Sequence, residues 1–303
     1  MNNKGKNSIA DVKNTVLKKL DQNGNGELDI ADIIALAIKL PGVHVKRDAF
    51  LKKEFFKNHP QEVIETAITS TPAAAGISAK EIDKIADEVI KYERICVSGI
   101  SAALGAPGGP AMAATIPADI LQYYGYTLRA AQKLLYLYGF PDIGANEDGL
   151  QLDTETLNTI ILCLGVMNGV AGANKAINGM AKALAVGVEK KLLNAGLNKG
   201  VFYPFVKKIM TWFGVKLTKD VFAGFFRKTL PVVGGIVGGG VTYLAFKPCC
   251  YRLKRALADT MLSNPAHVST DEENAIYESI VTGQLDKIVL DDAEDYFVTL
   301  RDE

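Results

Sequence analysis

Histidine occurs three times in the 303 residues, tryptophan once and cysteine four times. So little histidine leaves few ways to build a proton relay or a zinc hydrolase. His44, His59 and His267 stand in unrelated contexts, with no His-Glu-x-x-His run. The Gly-x-Ser-x-Gly elbow, the phosphate-binding Gly-x-x-x-x-Gly-Lys loop and the Ser-x-x-Lys pair are missing as well, which excludes the commonest serine-hydrolase and nucleotide-hydrolase designs. Cys96, Cys163, Cys249 and Cys250 have neither metal-ligand nor disulfide-framework spacing, and two of them are adjacent. They read as small buried hydrophobes in a reducing compartment. The start, MNNKGKNSIADVK, lacks the apolar core of a signal peptide and the Met-Gly start of a myristoylated chain. The expectation is a cytoplasmic protein, at most peripheral at a membrane.

Long leucine-rich runs are also missing. Three stretches lack charge: Ile95 to Ala118, Thr156 to Asn174 and Thr229 to Phe246. Prolines interrupt the first, asparagines the second, and five glycines in Gly234–Gly240 the third. A span needs about 20 mainly apolar residues, so a soluble or peripheral bundle is expected, with membrane insertion as the alternative. Small residues four apart, such as Gly165, Gly169 and Ala173, or Gly235 and Gly239, suit closely packed helices. Period-two alternation is absent throughout, and no repeat recurs at fixed spacing, so the fold class is all-α: a multi-helix bundle.

What is present begins with DQNGNGELDIAD, residues 21–32. Asp21, Asn23 and Asn25 place oxygens at loop positions one, three and five. Gly26 allows the sharp turn at six. Glu27 offers its carbonyl at seven, Asp29 acts at nine and Asp32 closes at twelve. Apolar residues at helical spacing flank the loop on both sides. Residues 8–40 therefore resemble an EF-hand, which implies Ca2+ binding. Asp32, shorter than the usual Glu, and the two asparagines favour weaker binding or leave Mg2+ open. The alternative is a metal-free Asx-rich turn that caps the following helix. A second loop, Gly144 to Glu155, lacks the opening carboxylate and is rejected. A single EF-hand pairs with a second copy in a homodimer or with another part of its own chain.

The organisation expected is a metal-binding module over 1–58, a helical bundle over 59–265 and an acidic helical segment over 266–303. Short helices fall on either side of Pro60, and Ser78 with Glu81 reads as a capping box opening a helix over 79–103. A turn at Gly105–Pro110 leads to a long helix ending near Phe140, where Pro141 stops it. Helices are then expected over 153–171, 173–195, 201–213, 217–229 and 231–262, and a Ser269–Glu272 capping box opens the last segment. Ile116-Pro117-Ala118-Asp119, Leu128-Arg129, Leu137-Tyr138-Gly139, Leu164-Gly165 and the run Leu230 to Gly239 resemble the EcsC family signature over about residues 60–262. That resemblance implies a hydrophobic, largely helical architecture and carries over no catalytic role.

Charge is neutral overall and unevenly placed. Lys175 to Arg255 holds fifteen Lys or Arg against two acids, a net +13; Asp271 to Glu303 holds eleven acids against two cations, a net −9. The basic segment interleaves cations with Trp212, Phe213, Phe222, Phe225 and Phe226, the makeup of helices that lie on anionic lipid. The alternative is a solvated helix face neutralised by the acidic tail. Nucleic acid is disfavoured because no recognition motif accompanies the charge. Asp119, Tyr123, Tyr126 and Lys133 fall near one line of a helix, with Arg129 slightly off it. They form either an acid–base site for an enzyme acting on an apolar substrate or, more simply, a polar set that fixes helix register. The function expected is a calcium-binding, non-enzymatic protein associating with anionic membrane, the alternatives being a hydrolase-type enzyme or a membrane-inserting effector.

Overall fold

The computed structural model describes residues 29–104, 112–143, 154–188, 202–217 and 234–282; residues 100–104, 112–120, 154–155, 214–217 and 234–242 are described by backbone alone. Among the described residues there are ten helices and no strand: α1 (Ile30–Ala37), α2 (Arg47–Phe55), α3 (Gln61–Thr69), α4 (Ala79–Leu104), α5 (Met112–Leu137), α6 (Thr154–Asn168), α7 (Ala173–Ala185), α8 (Tyr203–Leu217), α9 (Gly234–Ala258) and α10 (Asp271–Thr282). The all-α expectation holds.

The frame is a three-helix packing of α4, α5 and α9. The α4 stripe of Ile82, Ala86, Ile90 and Val97 is fully or nearly fully buried, at the 3.6-residue spacing of an apolar helix face. Polar contacts give the directions. Tyr138 meets Asp83 while Arg129 meets Glu93, so α5 runs antiparallel to α4. Lys254 meets Asp87 while Arg94 meets Tyr243, so α9 is antiparallel to α4 as well. Helix α1 lies on α5, and α10 lies on α7. Ile34, Leu134, Phe246 and Ile276 all belong to one hydrophobic cluster. Fully burying such side chains contributes roughly 1.5–3 kcal/mol each.

Helix ends differ from the sequence expectation for one recurring reason. Helix α5 stops at Leu137, not near Phe140, because Gly139 takes φ 89. The Phe140 N–H then donates to the Leu135 carbonyl at 2.9 Å and the Gly139 N–H to Tyr136 at 3.3 Å. This reversed closure satisfies carbonyls the helix leaves open and favours glycine, which lacks a Cβ to clash. The same hydrogen-bond pattern ends α6 at Asn168 and α7 at Ala185, short of the expected 171 and 195. Helix α8 is continuous to Leu217, and α9 runs through Pro248 to Ala258. The α4 cap is partly as expected: the Glu81 N–H donates to the Ser78 hydroxyl at 3.3 Å, but Glu81 Oε1 meets His59 and Asn58. The last cap is shifted by one residue, to Thr270 with Glu273. The turn at Gly105–Pro110 and the helix expected beyond Leu217 lie outside the described residues.

Two buried side chains tie the early loops to the frame. Arg47 donates to the carbonyls of Ala67, Ile68, Ser70 and Phe140, so its charge closes the C-terminal end of α3. Burial draws its guanidinium below the usual value. Gln132 on α5 accepts from the Val45 N–H and donates to the Val43 carbonyl, both at 3.0 Å.

Candidate functional site

Helix α4 carries three polar zones, each on a different side or level. At its N-terminal end, Lys254 of α9 lies 2.7 Å from Asp87 and 3.6 Å from Asp83. Tyr138, just past the end of α5, donates to Asp83 at 2.5 Å, so this zone joins α4, α9 and the close of α5. Burial and these carboxylates push the Tyr138 phenol well up.

About two turns of α4 beyond Asp87, Glu93 faces α5 with no exposed surface. One carboxylate oxygen takes Arg129 Nε at 2.8 Å and Nη2 at 2.5 Å; the other takes Lys133 Nζ at 2.7 Å. Burial alone would lower the Arg129 value, but its hydrogen bonds and pairing with Glu93 hold it above the ordinary one. The Tyr126 ring lies 4.5 Å beneath the Arg129 guanidinium. Two cations on one buried carboxylate make a satisfied structural knot.

The third zone faces outward. The exposed line along α4 reads Lys84, Glu88, Lys91, Tyr92, Ile95 and Gly99. Beside it, Arg94 donates to the Tyr243 carbonyl at 2.6 Å and its guanidinium lies 3.3 Å from the centre of the Tyr243 ring. Tyr92, Ile95 and Leu244 remain 59%, 55% and 69% exposed. Lys247 is exposed one turn along α9 from Tyr243. Helix α9 has four cations and no acid anywhere in Gly234–Ala258. Apolar and aromatic surface is thus displayed among cations, with the exposed Glu88 and the half-exposed side chains of Asp83 and Asp87 nearer the N-terminal end of α4.

No protein-family model matches this chain, no curated protein matches it, and no solved structure matches it.

Of the metal-loop residues, Asp21, Asn23, Asn25 and Glu27 lie outside the described residues. Asp29 and Asp32 are described, and they form a reciprocal cap on α1: Asp29 accepts from the Ala31 and Asp32 N–H groups at 2.8 and 3.1 Å, and Asp32 Oδ2 accepts from the Asp29 N–H at 3.1 Å. Among the described residues no three His, Cys, Asp or Glu are grouped to hold a metal.

The set aligned on α5 divides. The Asp119 side chain is not among those described. Tyr123 faces α9, edge-on to Phe246 with ring centres 6.3 Å apart; Tyr126 lies under Arg129, and Lys133 turns to Glu93. Burial pushes the Tyr123 and Tyr124 phenols well up, away from proton exchange near neutrality. Glu93 was not singled out from sequence, although it interrupts the apolar stripe between Ile90 and Val97. The basic and acidic segments do meet. Lys175 lies 3.4 Å from Glu272, Asn178 donates to Glu273 at 3.0 Å, and Lys182 pairs with Asn274. Some of the basic segment is therefore covered within the fold, and Lys254 of α9 is buried against Asp83 and Asp87. Of the four cysteines, Cys163 and Cys250 are buried and Cys96 and Cys249 partly so, all as free thiols; burial pushes Cys163 up to about 12.

Proposed function

We propose that this chain is a metal-binding helical protein that associates with anionic membrane surface. The outer face of α4 and α9 meets the lipid, and the 21–32 loop takes Ca2+, with Mg2+ as the smaller alternative. The observation that carries the lipid reading is the exposed group of Tyr92, Ile95, Tyr243 and Leu244 set among Lys91, Arg94 and Lys247. Interfacial proteins combine these features: amphipathic rings and aliphatics enter the headgroup boundary while cations pair with anionic lipid. Three cations near such a surface supply about 3 kcal/mol. The saturated Glu93 knot and the buried tyrosines support binding rather than catalysis. The EcsC-like architecture of residues 60–262, a cytoplasmic peripheral setting and pairing through the single EF-hand belong to the same proposal.

Co-sedimentation with neutral and phosphatidylserine-containing liposomes, in calcium and in chelator, tests it. The wild type should bind the anionic vesicles selectively. Arg94→Glu with Lys247→Glu should weaken that binding by about 30-fold or more, since two attractions become repulsions. Equal binding to neutral vesicles, or a double variant that binds like the wild type, would remove this face from the function.

A further inference from the structure

Resting on that membrane reading, we infer that α2 is a second contact with the anionic leaflet, placed so that α4 lies along the membrane surface. The outer face of α2 and of the turn that ends it is a helical line of Lys46, Ala49, Lys53, Phe56 and Lys57, all exposed, with Lys52 beside it. Phe56 is 68% exposed, more than Tyr92 or Ile95. Its neighbour Phe55 is completely buried, so one ring holds α2 to the core and the other is displayed. The acids here are fewer than the cations. Glu54 lies 3.4 Å from Lys53, and Asp48 is the one exposed acid of Arg47–Phe55. Asp48 falls on the edge of the helix away from Lys46 and Lys57. Glu62 and Glu65 are exposed on α3, beyond Pro60.

Side chains join α2 to α4 at both ends. The Lys133 ammonium lies 5.8 Å from the centre of the Phe50 ring and 5.6 Å from that of Tyr92. Asn58 and His59 meet Glu81 at 3.2 and 3.0 Å. The start of α2 is thus level with Tyr92 and its end with Glu81, a separation of about 16 Å along α4. Helix α9 borders α4 through Asp87 and Arg94. At about 100° per residue, the side of Asp87 and Arg94 and the side of Glu81 and Tyr92 are about 140° apart. Lys84, Glu88, Lys91 and Ile95 fall between them and are exposed. The exposed line of α4 therefore has α9 on one flank and α2 on the other. Glu88 lies one turn from Lys84 and one from Lys91, so cations outnumber it along the line. Apolar groups stand among cations at both ends: Tyr92, Ile95 and Leu244 at one, Phe56 at the other. A contact at one end alone would leave α4 free to tilt, and contacts at both hold it parallel to the surface. Shape and charge select the occupant. Phe56 stands out from a convex helix face, and lipid headgroups part around a protruding ring where a folded partner needs a matching hollow. The lysines around the ring attract anionic headgroups. A second copy of this chain would bring like charge against it.

Trp212 is the only tryptophan, so a single transplanted indole reports one place. In a Trp212→Phe background, Phe56→Trp puts the indole on α2 and Tyr92→Trp puts it on α4. Each is mixed with phosphatidylserine-containing vesicles whose acyl chains are brominated near the headgroup. Both should shift to the blue and lose about one third of their emission or more. Lys53→Glu with Lys57→Glu should weaken vesicle binding about 10-fold or more, with helix content unchanged because both side chains are exposed. Vesicle-bound protein in which Tyr92→Trp is quenched and Phe56→Trp is not overturns the α2 contact and leaves the α4–α9 face standing. A double charge reversal that binds like the wild type does the same. Wild-type protein that binds no vesicle overturns both readings. A blue shift of Phe56→Trp with polyglutamate but not with vesicles assigns α2 to an acidic protein and overturns the lipid contact there.

Discussion

At the scale of single residues, the most consequential group is Glu93, which has no exposed surface and meets two cations. Its partners are less than one-fifth exposed, so water replaces little of the interaction if the carboxylate is lost. Glu93→Gln keeps the shape and leaves Arg129 and Lys133 facing each other without a counter-charge. The expected loss is about 3 kcal/mol, seen as a lower midpoint in urea unfolding at unchanged slope. Lys133→Met should cost less, about 1 kcal/mol, because Arg129 still neutralises the carboxylate through two hydrogen bonds. Equal costs would mean that the knot does not work as an ion network. This residue was partly legible in sequence: a carboxylate between Ile90 and Val97 interrupts an apolar stripe. Its partners were not legible, because alignment along α5 relates only residues of one helix, while Lys133 is paired across 40 positions of chain. Of the residues aligned on α5, Tyr126 and Lys133 do share the Glu93–Arg129 zone, while Tyr123 turns to Phe246 on α9.

At the scale of elements, the docking of α10 on α7 brings acidic and basic segments together. Glu273 receives the His267 ring, the Thr270 N–H and the Asn178 amide, and Asp259, just past α9, lies 3.4 Å from the other His267 nitrogen. The one-residue shift of the cap follows from this. Thr270 as cap turns Glu273 inward to its partners, and propensity at Ser269 alone could not weigh those distant contacts. Close packing adds to the docking, since a Cβ on Gly179 would collide with Ile276. The Glu273 hydrogen bond, against some burial, raises the His267 value above 6.5. A raised folded-state value stabilises the folded form when the imidazole is protonated. The contribution is fully present below pH 6.5 and is lost as pH rises through the raised value. Thermal midpoints of wild type and His267→Gln should therefore differ most at pH 5.5–6 and converge as the medium becomes alkaline. A constant gap across that range would show that His267 contributes by packing alone.

At the scale of the whole molecule, the helical class was legible because apolar spacing near 3.6 recurs along the chain, and most helix starts were legible from caps and prolines. Helix ends were less so, because the closing glycines at 139, 169 and 187 look in sequence like any other small residue. The joining of α1 to the common core was not legible either: Ile30, Ile34 and Ala37 are completely buried in the same cluster as α5 and α9. That junction makes the proposed ion a property of the entire fold. Asp29 and Asp32 are loop positions nine and twelve and also the cap of α1. A carboxylate has two oxygens and about four lone pairs, so accepting the Asp29 N–H on Oδ2 does not by itself bar Asp32 from ligating a cation. Ion binding and α1 docking then reinforce each other. A ligand held only by the folded form adds about 2.7 kcal/mol at one hundred times its dissociation constant. For a chain of this size that corresponds to a rise of roughly 5 °C in the melting midpoint. Calcium should produce that rise in a single calorimetric transition, with magnesium producing less. Asp21→Ala should abolish the rise and leave the ion-free midpoint where it was. Two transitions, only the lower one moving with calcium, would mean that the loop melts apart from the core. No movement in either would make residues 21–32 a metal-free turn whose work is to cap α1.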